Sequence, residues 1–238
     1  PVVVPVVAAD PDRARDAGAG AVAPGAAGPG RLNYLGHFLL TAGEEDLWVG
    51  GFLGDFARGG VDKLPERWRA GVRVHRLVDA LTDAHPEARR SAARLRPAAG
   101  RWSGVAVDLL YDHVFASEWP RLAPEHGVSD SLADFAARVY RTLAAHESDL
   151  PPLARQVRRV MTSEDWLSGY ADLAAVTRAL ERMERRVQAR RSTQGRPPRP
   201  VSLAVAVEVF RKVPGTFRDE AEAVVRGVAG DLKRRPSP

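Results

Sequence analysis

The chain lacks cysteine altogether. Disulfides and thiolate metal sites are thereby excluded, and any metal site must be assembled from His, Asp and Glu, a donor set that suits Mn, Mg, Fe or Zn. A cysteine-free chain also fits the cytosol, where disulfides are rare, and a cytoplasmic location is the expectation. Long apolar runs are missing too: no stretch approaches the roughly 18 residues needed to span a bilayer, so no membrane role is expected. The opening Pro1-Val-Val-Val-Pro-Val-Val7 is short and has no basic flank, and does not read as a signal peptide. Aromatic residues make up only 7% of the chain. Ala, Arg, Leu and Val dominate instead. Ala, Leu and Arg lose little in a helix, whereas strands draw on β-branched and aromatic side chains, so an all-α fold is expected.

What is present is an ordinary globular balance in 238 residues, 45% apolar and 27% charged, enough for one buried core. The formal charge is +5 and the pI about 10.0. Such a surface is compatible with nucleic acid, anionic lipid or an acidic protein. The basic residues are spread along helices without interleaved aromatics, so no nucleic-acid interface is expected.

Residues 1–31 are rich in Pro, Gly and Ala and cannot bury enough apolar surface to order themselves; they are expected to be a disordered leader ahead of one helical domain over 32–234. Ser131 with Asp134 reads as a capping box. Behind it Leu132, Phe135, Ala136, Val139, Tyr140 and Leu143 form one helical stripe. Ser163 is expected to cap a long helix through Trp166, Tyr170, Leu173, Leu180 and Met183. A last stripe runs through Phe217, Ala221, Val224, Val225, Val228 and Leu232. Pro151-Pro152 and Pro214-Gly215 break helices. Segment 185–200, rich in Arg and Pro, reads as a basic loop, and 201–209 reads as helix by context.

Four stretches carry chemistry. In the first, His75, Asp79 and Asp83 form a row at the edge of an apolar helix face, and residues i and i+4 are neighbours that can ligate one ion. An isolated pair of this kind is more often a surface ion pair. In the second, Asp108 and Asp112 are again i,i+4 on a helix that is apolar on almost every other side. Buried carboxylates are costly unless paired or bound to metal, which argues against a bland surface reading there. His113 points about 100° away from Asp112 and is a candidate proton donor. The third, Gly50-Gly-Phe-Leu-Gly-Asp55, sets Asp55 among apolar residues and glycines that allow close approach. Neither a P-loop nor a dinucleotide fingerprint is present. The fourth, Asn33-Tyr-Leu-Gly-His37, places His37 on an apolar helix, where a lone His is more often a satisfied core residue. His85, His126 and His146 lie in less suggestive settings.

Taken together these stretches resemble the acyl carrier protein phosphodiesterases (acyl carrier protein hydrolyases). That family opens Met-Asn-Phe-Leu-Ala-His, continues with Leu-Ala-Asp-Phe-x-Arg-Gly, then His-Arg-x-x-Asp-x-x-Thr-Asp with Pro-Glu-x-Arg, and later Asp-x-x-x-Asp-His. The matching segments here are 33–37, 53–59, 75–83 with 86–89, and 108–113. The ordered set is specific, although no single block is. Glu164-Asp-Trp-Leu-x-x-Tyr-x-Asp172 also looks familial, and the likeness runs from Leu32 to the last helix. Gly50-Gly51 departs from the family's Gly-Asn. The family's initiating Met falls at Leu32, which makes residues 1–31 candidates for upstream translation, a point that N-terminal sequencing of the native protein decides.

The resemblance implies a helical fold akin to a rearranged HD-domain phosphohydrolase. It implies hydrolysis of the phosphodiester joining 4′-phosphopantetheine to serine of holo-acyl carrier protein, an acidic protein substrate. It implies a divalent ion, with Mn first and Mg, Fe or Co as alternatives. The aspartate on which the family's activity depends maps to Asp55. His37, Asp55, His75, Asp79 and Asp112 form the candidate ligand pool. Arg58 and Arg76 are candidate phosphate-binding forks, Asp55, His113 and Asp83 candidate catalytic groups, and Asp108 a candidate orienting residue. Two other readings stay open: an HD-like metal phosphohydrolase acting on a nucleotide or other phosphodiester, and a non-enzymatic helical module binding acidic partners.

Overall fold

The computed structural model of the chain describes residues 34–57, 60–195, 197 and 202–234. Twelve α-helices carry most of these residues, with no strand among them, as the composition predicts. The leader 1–31, Asn33 and Arg58 lie outside the described residues. No helix is long and apolar enough to cross a membrane among the described residues.

The centre of the fold is α5, Ser103–Ser117, whose side chains from Leu109 to Ala116 are all buried. A helix apolar on nearly every side has no solvent face to offer and must be enclosed. The enclosing helices are α1 (Tyr34–Leu40), α4 (Pro86–Ala99), α10 (Leu173–Thr193), α11 (Ala204–Lys212) and α12 (Pro214–Arg234). The expected last stripe is the inner face of α12: Phe217, Ala221, Val224, Val225 and Val228 are buried.

A second layer pairs α2 (Glu45–Leu53) with α3 (Glu66–Ala84) and with α7 (Leu132–Ala145). The α2–α3 pair is held backbone to backbone. A Cβ on Gly50 would lie 2.4 Å from the Trp68 carbonyl oxygen, and one on Gly71 would lie 2.4 Å from that of Leu47. Only glycine at both places permits this approach. It brings the turn after α2, which carries Asp55, against the middle of α3, which carries His75.

Several local expectations hold. Ser131 caps α7, its hydroxyl accepting from the Asp134 amide at 3.1 Å, and the α7 stripe is buried apart from half-buried Leu132. Pro152 and Pro214 stand at the first positions of α8 (Pro152–Ser163) and α12, where the missing N–H costs nothing.

Others need correction. Ser163 closes α8 rather than opening the next helix, and its hydroxyl donates back to the Val160 carbonyl. The expected long helix is split into α9 (Trp166–Gly169) and α10. The cap of α10 is Asp172, whose carboxylate accepts from the amides of Ala174 and Ala175 at 2.8 and 3.2 Å. The basic segment is not a loop from residue 185: α10 runs on to Thr193. Arg, Glu, Gln and Ala are all good helix formers, and the first residue there that cannot continue a helix is Pro197. Only one of the two α5 carboxylates is in the core, for Asp112 is 0% exposed while Asp108 is half-buried.

Candidate metal centre

α1 has only seven residues, too few to be stable alone. Its start is held by Asp112, whose two carboxylate oxygens accept from the amides of Leu35 and Gly36, each at 2.9 Å. A carboxylate at a helix N-terminus is favourable because it meets unpaired N–H groups and the positive end of the helix dipole. Burial nevertheless pushes the Asp112 carboxyl up to about 7, with the two amide hydrogen bonds acting in the opposite direction. Thus Asp112, expected among the ligands, is engaged by the α1 backbone and does not join the group below.

Anchored in this way, α1 presents His37 to α3. His37, His75 and Asp79 are all buried, and one potential ligand atom from each lies within 4.8 Å of the others. The two imidazoles stack with centroids 4.2 Å apart and planes 15° from parallel. Asp79 faces both, with Oδ1 3.3 Å from His37 Nε2 and Oδ2 3.5 Å from His75 Nε2. Asp55 adds a second carboxylate, its Oδ1 3.6 Å from His75 Nε2 and its side chain 25% exposed. The latter separations are long for hydrogen bonds yet converge on one volume.

The position of the His75 ring depends on a residue that spacing did not single out. A Cβ on Gly54 would lie 2.3 Å from that ring, so glycine is required at the place where α2 turns toward Asp55. The only sequence signal was its place in the glycine-rich run before Asp55.

The donor set fits a divalent ion. His37 Nε2 is buried and makes no regular hydrogen bond, although Asp79 Oδ1 lies 3.3 Å away, so the fold leaves it poorly satisfied, at a cost in free energy that a bound ion would relieve. Burial, and then the neighbouring His75, lower the His37 pKa, while Asp79 and Asp55 raise it less. Burial and His75 thus favour the neutral imidazole, the form that ligates metals. Two imidazoles and a carboxylate suit first-row divalent ions.

The remaining candidates are placed as follows. Arg76 is exposed and donates to the Ala57 carbonyl at 3.1 Å, bracing the turn after Asp55. Asp83 is half-buried one turn beyond Asp79. His113 is buried on another side of α5, where its Nδ1 lies 2.8 Å from the Tyr170 carbonyl oxygen and its ring lies edge-on to Phe210. Burial lowers its pKa, against the Tyr170 contact. His85 caps α4, its Nδ1 accepting from the Glu87 amide.

The chain matches the family described as acyl carrier protein phosphodiesterase over residues 32–202. It is 30% identical over 156 residues to the acyl carrier protein phosphodiesterase of Yersinia pestis, covering 65% of this chain and 79% of that protein. It is 29% identical, over the same shares, to the proteins of that name from Escherichia coli O139:H28 (strain E24377A / ETEC) and Shigella boydii serotype 18 (strain CDC 3083-94 / BS512). No solved structure matches the chain.

Proposed function

The chain belongs to the acyl carrier protein phosphodiesterase family, and on that premise we propose that it hydrolyses the phosphodiester joining 4′-phosphopantetheine to serine of holo-acyl carrier protein, releasing the apo form. The observation that carries the mechanism is the convergence of His37, His75 and Asp79 with Asp55 beside them.

In this reading His37, His75 and Asp79 hold a divalent ion, Mn first among the alternatives. When bound, the ion supplies Lewis-acid charge that neutralises phosphoryl oxygens and makes water more acidic. The protein does the rest. Stacking fixes the two imidazole planes, and Asp112 fixes α1 and hence His37. Asp55 is the most exposed carboxylate of the group, so it meets entering water and accepts its proton. Serine alkoxide is a poor leaving group and needs a proton. Asp83 continues the His75–Asp79 row of α3, whereas His113 faces the Tyr170 carbonyl, so Asp83 is assigned the donor role. Arg76, beside the site on the outer face of α3, meets the phosphodiester as a planar donor. Arg73, also exposed, extends the positive rim toward an acidic protein substrate.

The test is release of phosphopantetheine from holo-carrier protein in Mn, run beside a panel of nucleotides and simple phosphodiesters. Release from the carrier protein by the wild type, its loss in His75→Ala and Asp79→Asn, and unchanged circular dichroism of both variants support the reading. Turnover of nucleotides without turnover of the carrier protein would replace it by the broader phosphohydrolase reading.

A further inference from the structure

Tyr34 opens α1, one turn before His37, and is 5% exposed. Its ring packs against Phe52, with centroids 5.8 Å apart. Phenylalanine would pack there equally well, and the family's opening block has Phe at this place. The hydroxyl therefore needs its own explanation, because it is buried and makes no hydrogen bond. A buried hydroxyl without a partner costs about 1–3 kcal/mol.

The groups that face this hydroxyl are the Asp55 carboxylate and the Tyr170 phenol. Asp55 acts on it both by charge and by a side-chain contact of hydrogen-bonding kind, a contact that falls short of regular hydrogen-bond geometry. Burial first, and then Asp55, hold the phenol well above its ordinary pKa, so it remains an O–H donor at every working pH. Asp55 itself sits in the turn after α2 with a partly exposed side chain, where nothing in a regular helix fixes its rotamer. One of its oxygens faces His75 Nε2.

We propose that Tyr34 is a positioning residue of the metal centre: its hydroxyl donates to the Asp55 carboxylate and turns the other carboxylate oxygen toward His75 and the ion. The proposal rests on the metal-centre reading above. It satisfies the buried hydroxyl of Tyr34 that the fold leaves without a regular hydrogen bond. Groups that orient a metal-site carboxylate in this way typically change metal affinity by about 10–100-fold when removed.

The experiment is titration calorimetry of Mn into wild type and Tyr34→Phe, with the metal-free melting temperature of each. The expected result is a wild type that binds Mn and a variant that binds it about tenfold more weakly, with a melting temperature no lower than wild type. In an Asp55→Asn background, adding Tyr34→Phe should change Mn affinity less than about twofold, since coupled residues are not additive. Equal Mn affinity in wild type and Tyr34→Phe overturns the proposal. So does a lower metal-free melting temperature with unchanged affinity, or a full tenfold loss that persists without Asp55. A wild type that binds no Mn overturns the metal-centre reading itself, and this proposal with it, before any variant is compared.

Discussion

The Asp112 carboxylate serves the site without standing among its converging side chains. It holds two amides of α1, and α1 carries His37. Asp112→Ala leaves both amides facing an apolar interior, so a loss of about 2–6 kcal/mol is expected by chemical denaturation, from about 1–3 kcal/mol for each unpaired group. The carboxyl titrates near 3.8 when unfolded and about 7 when folded. Between those values the folded chain binds more protons than the unfolded one. The increment to stability that comes from this proton uptake is thus complete below about pH 4, declines as pH rises, and is gone above about pH 7, where only the hydrogen bonds of the carboxylate itself remain. Asp112→Asn cannot titrate. The stability difference between wild type and this variant should shrink over that window and be flat above it, as urea denaturation at a series of pH values will register. A difference that grows with pH would contradict the account.

At the scale of elements, the site exists because two helices approach closer than side chains allow. Gly71→Ala must push α3 off α2, and overpacking of this kind should cost about 1–3 kcal/mol in urea denaturation. Gly54→Ala should act differently. The added methyl meets the His75 ring before anything else, so turnover should fall about a hundredfold, the effect of a displacement near 1 Å, with less change in melting temperature than in Gly71→Ala. Equal loss of stability in both variants would contradict the distinction. These same elements mark what was legible in the sequence. Apolar periodicity revealed the inner faces of α5, α7 and α12, and the i,i+4 rule placed His75 beside Asp79. Helix spacing is blind to what faces a side chain from another helix, so it put Asp112 among the candidate ligands without showing that its oxygens hold the start of α1. It also overlooked Gly54 and Tyr34, which matter only through contacts between distant segments. Arginine content mimicked a loop after residue 185, although arginine is compatible with the helix that forms there.

Across the whole molecule, α12 lies beyond the residues matched to the family yet is bound firmly to the core. Glu220 accepts from Ser91 and receives a paired contact from Arg94, at 2.6 and 2.7 Å, while the buried Tyr111 of α5 donates to Ser91 at 2.8 Å. Glu220→Gln should cost about 2 kcal/mol, below the figure for a fully buried pair because Arg94 is 29% exposed. An unchanged denaturation midpoint would contradict this. The net charge of +5 and the outward face of α3 should steer an acidic substrate, so kcat/KM for carrier protein should fall as salt rises while kcat changes little. A kcat/KM that is independent of salt would remove steering from the account. The central claim, that His37, His75 and Asp79 form the metal centre of a phosphodiesterase, is tested most directly by the mass of holo-acyl carrier protein after incubation with this protein. With Mn present the mass should drop by that of phosphopantetheine, and with chelator, or with Asp79→Asn in place of wild type, it should not. A carrier protein that keeps its full mass with wild type and Mn, or loses phosphopantetheine equally well with Asp79→Asn, would contradict the claim.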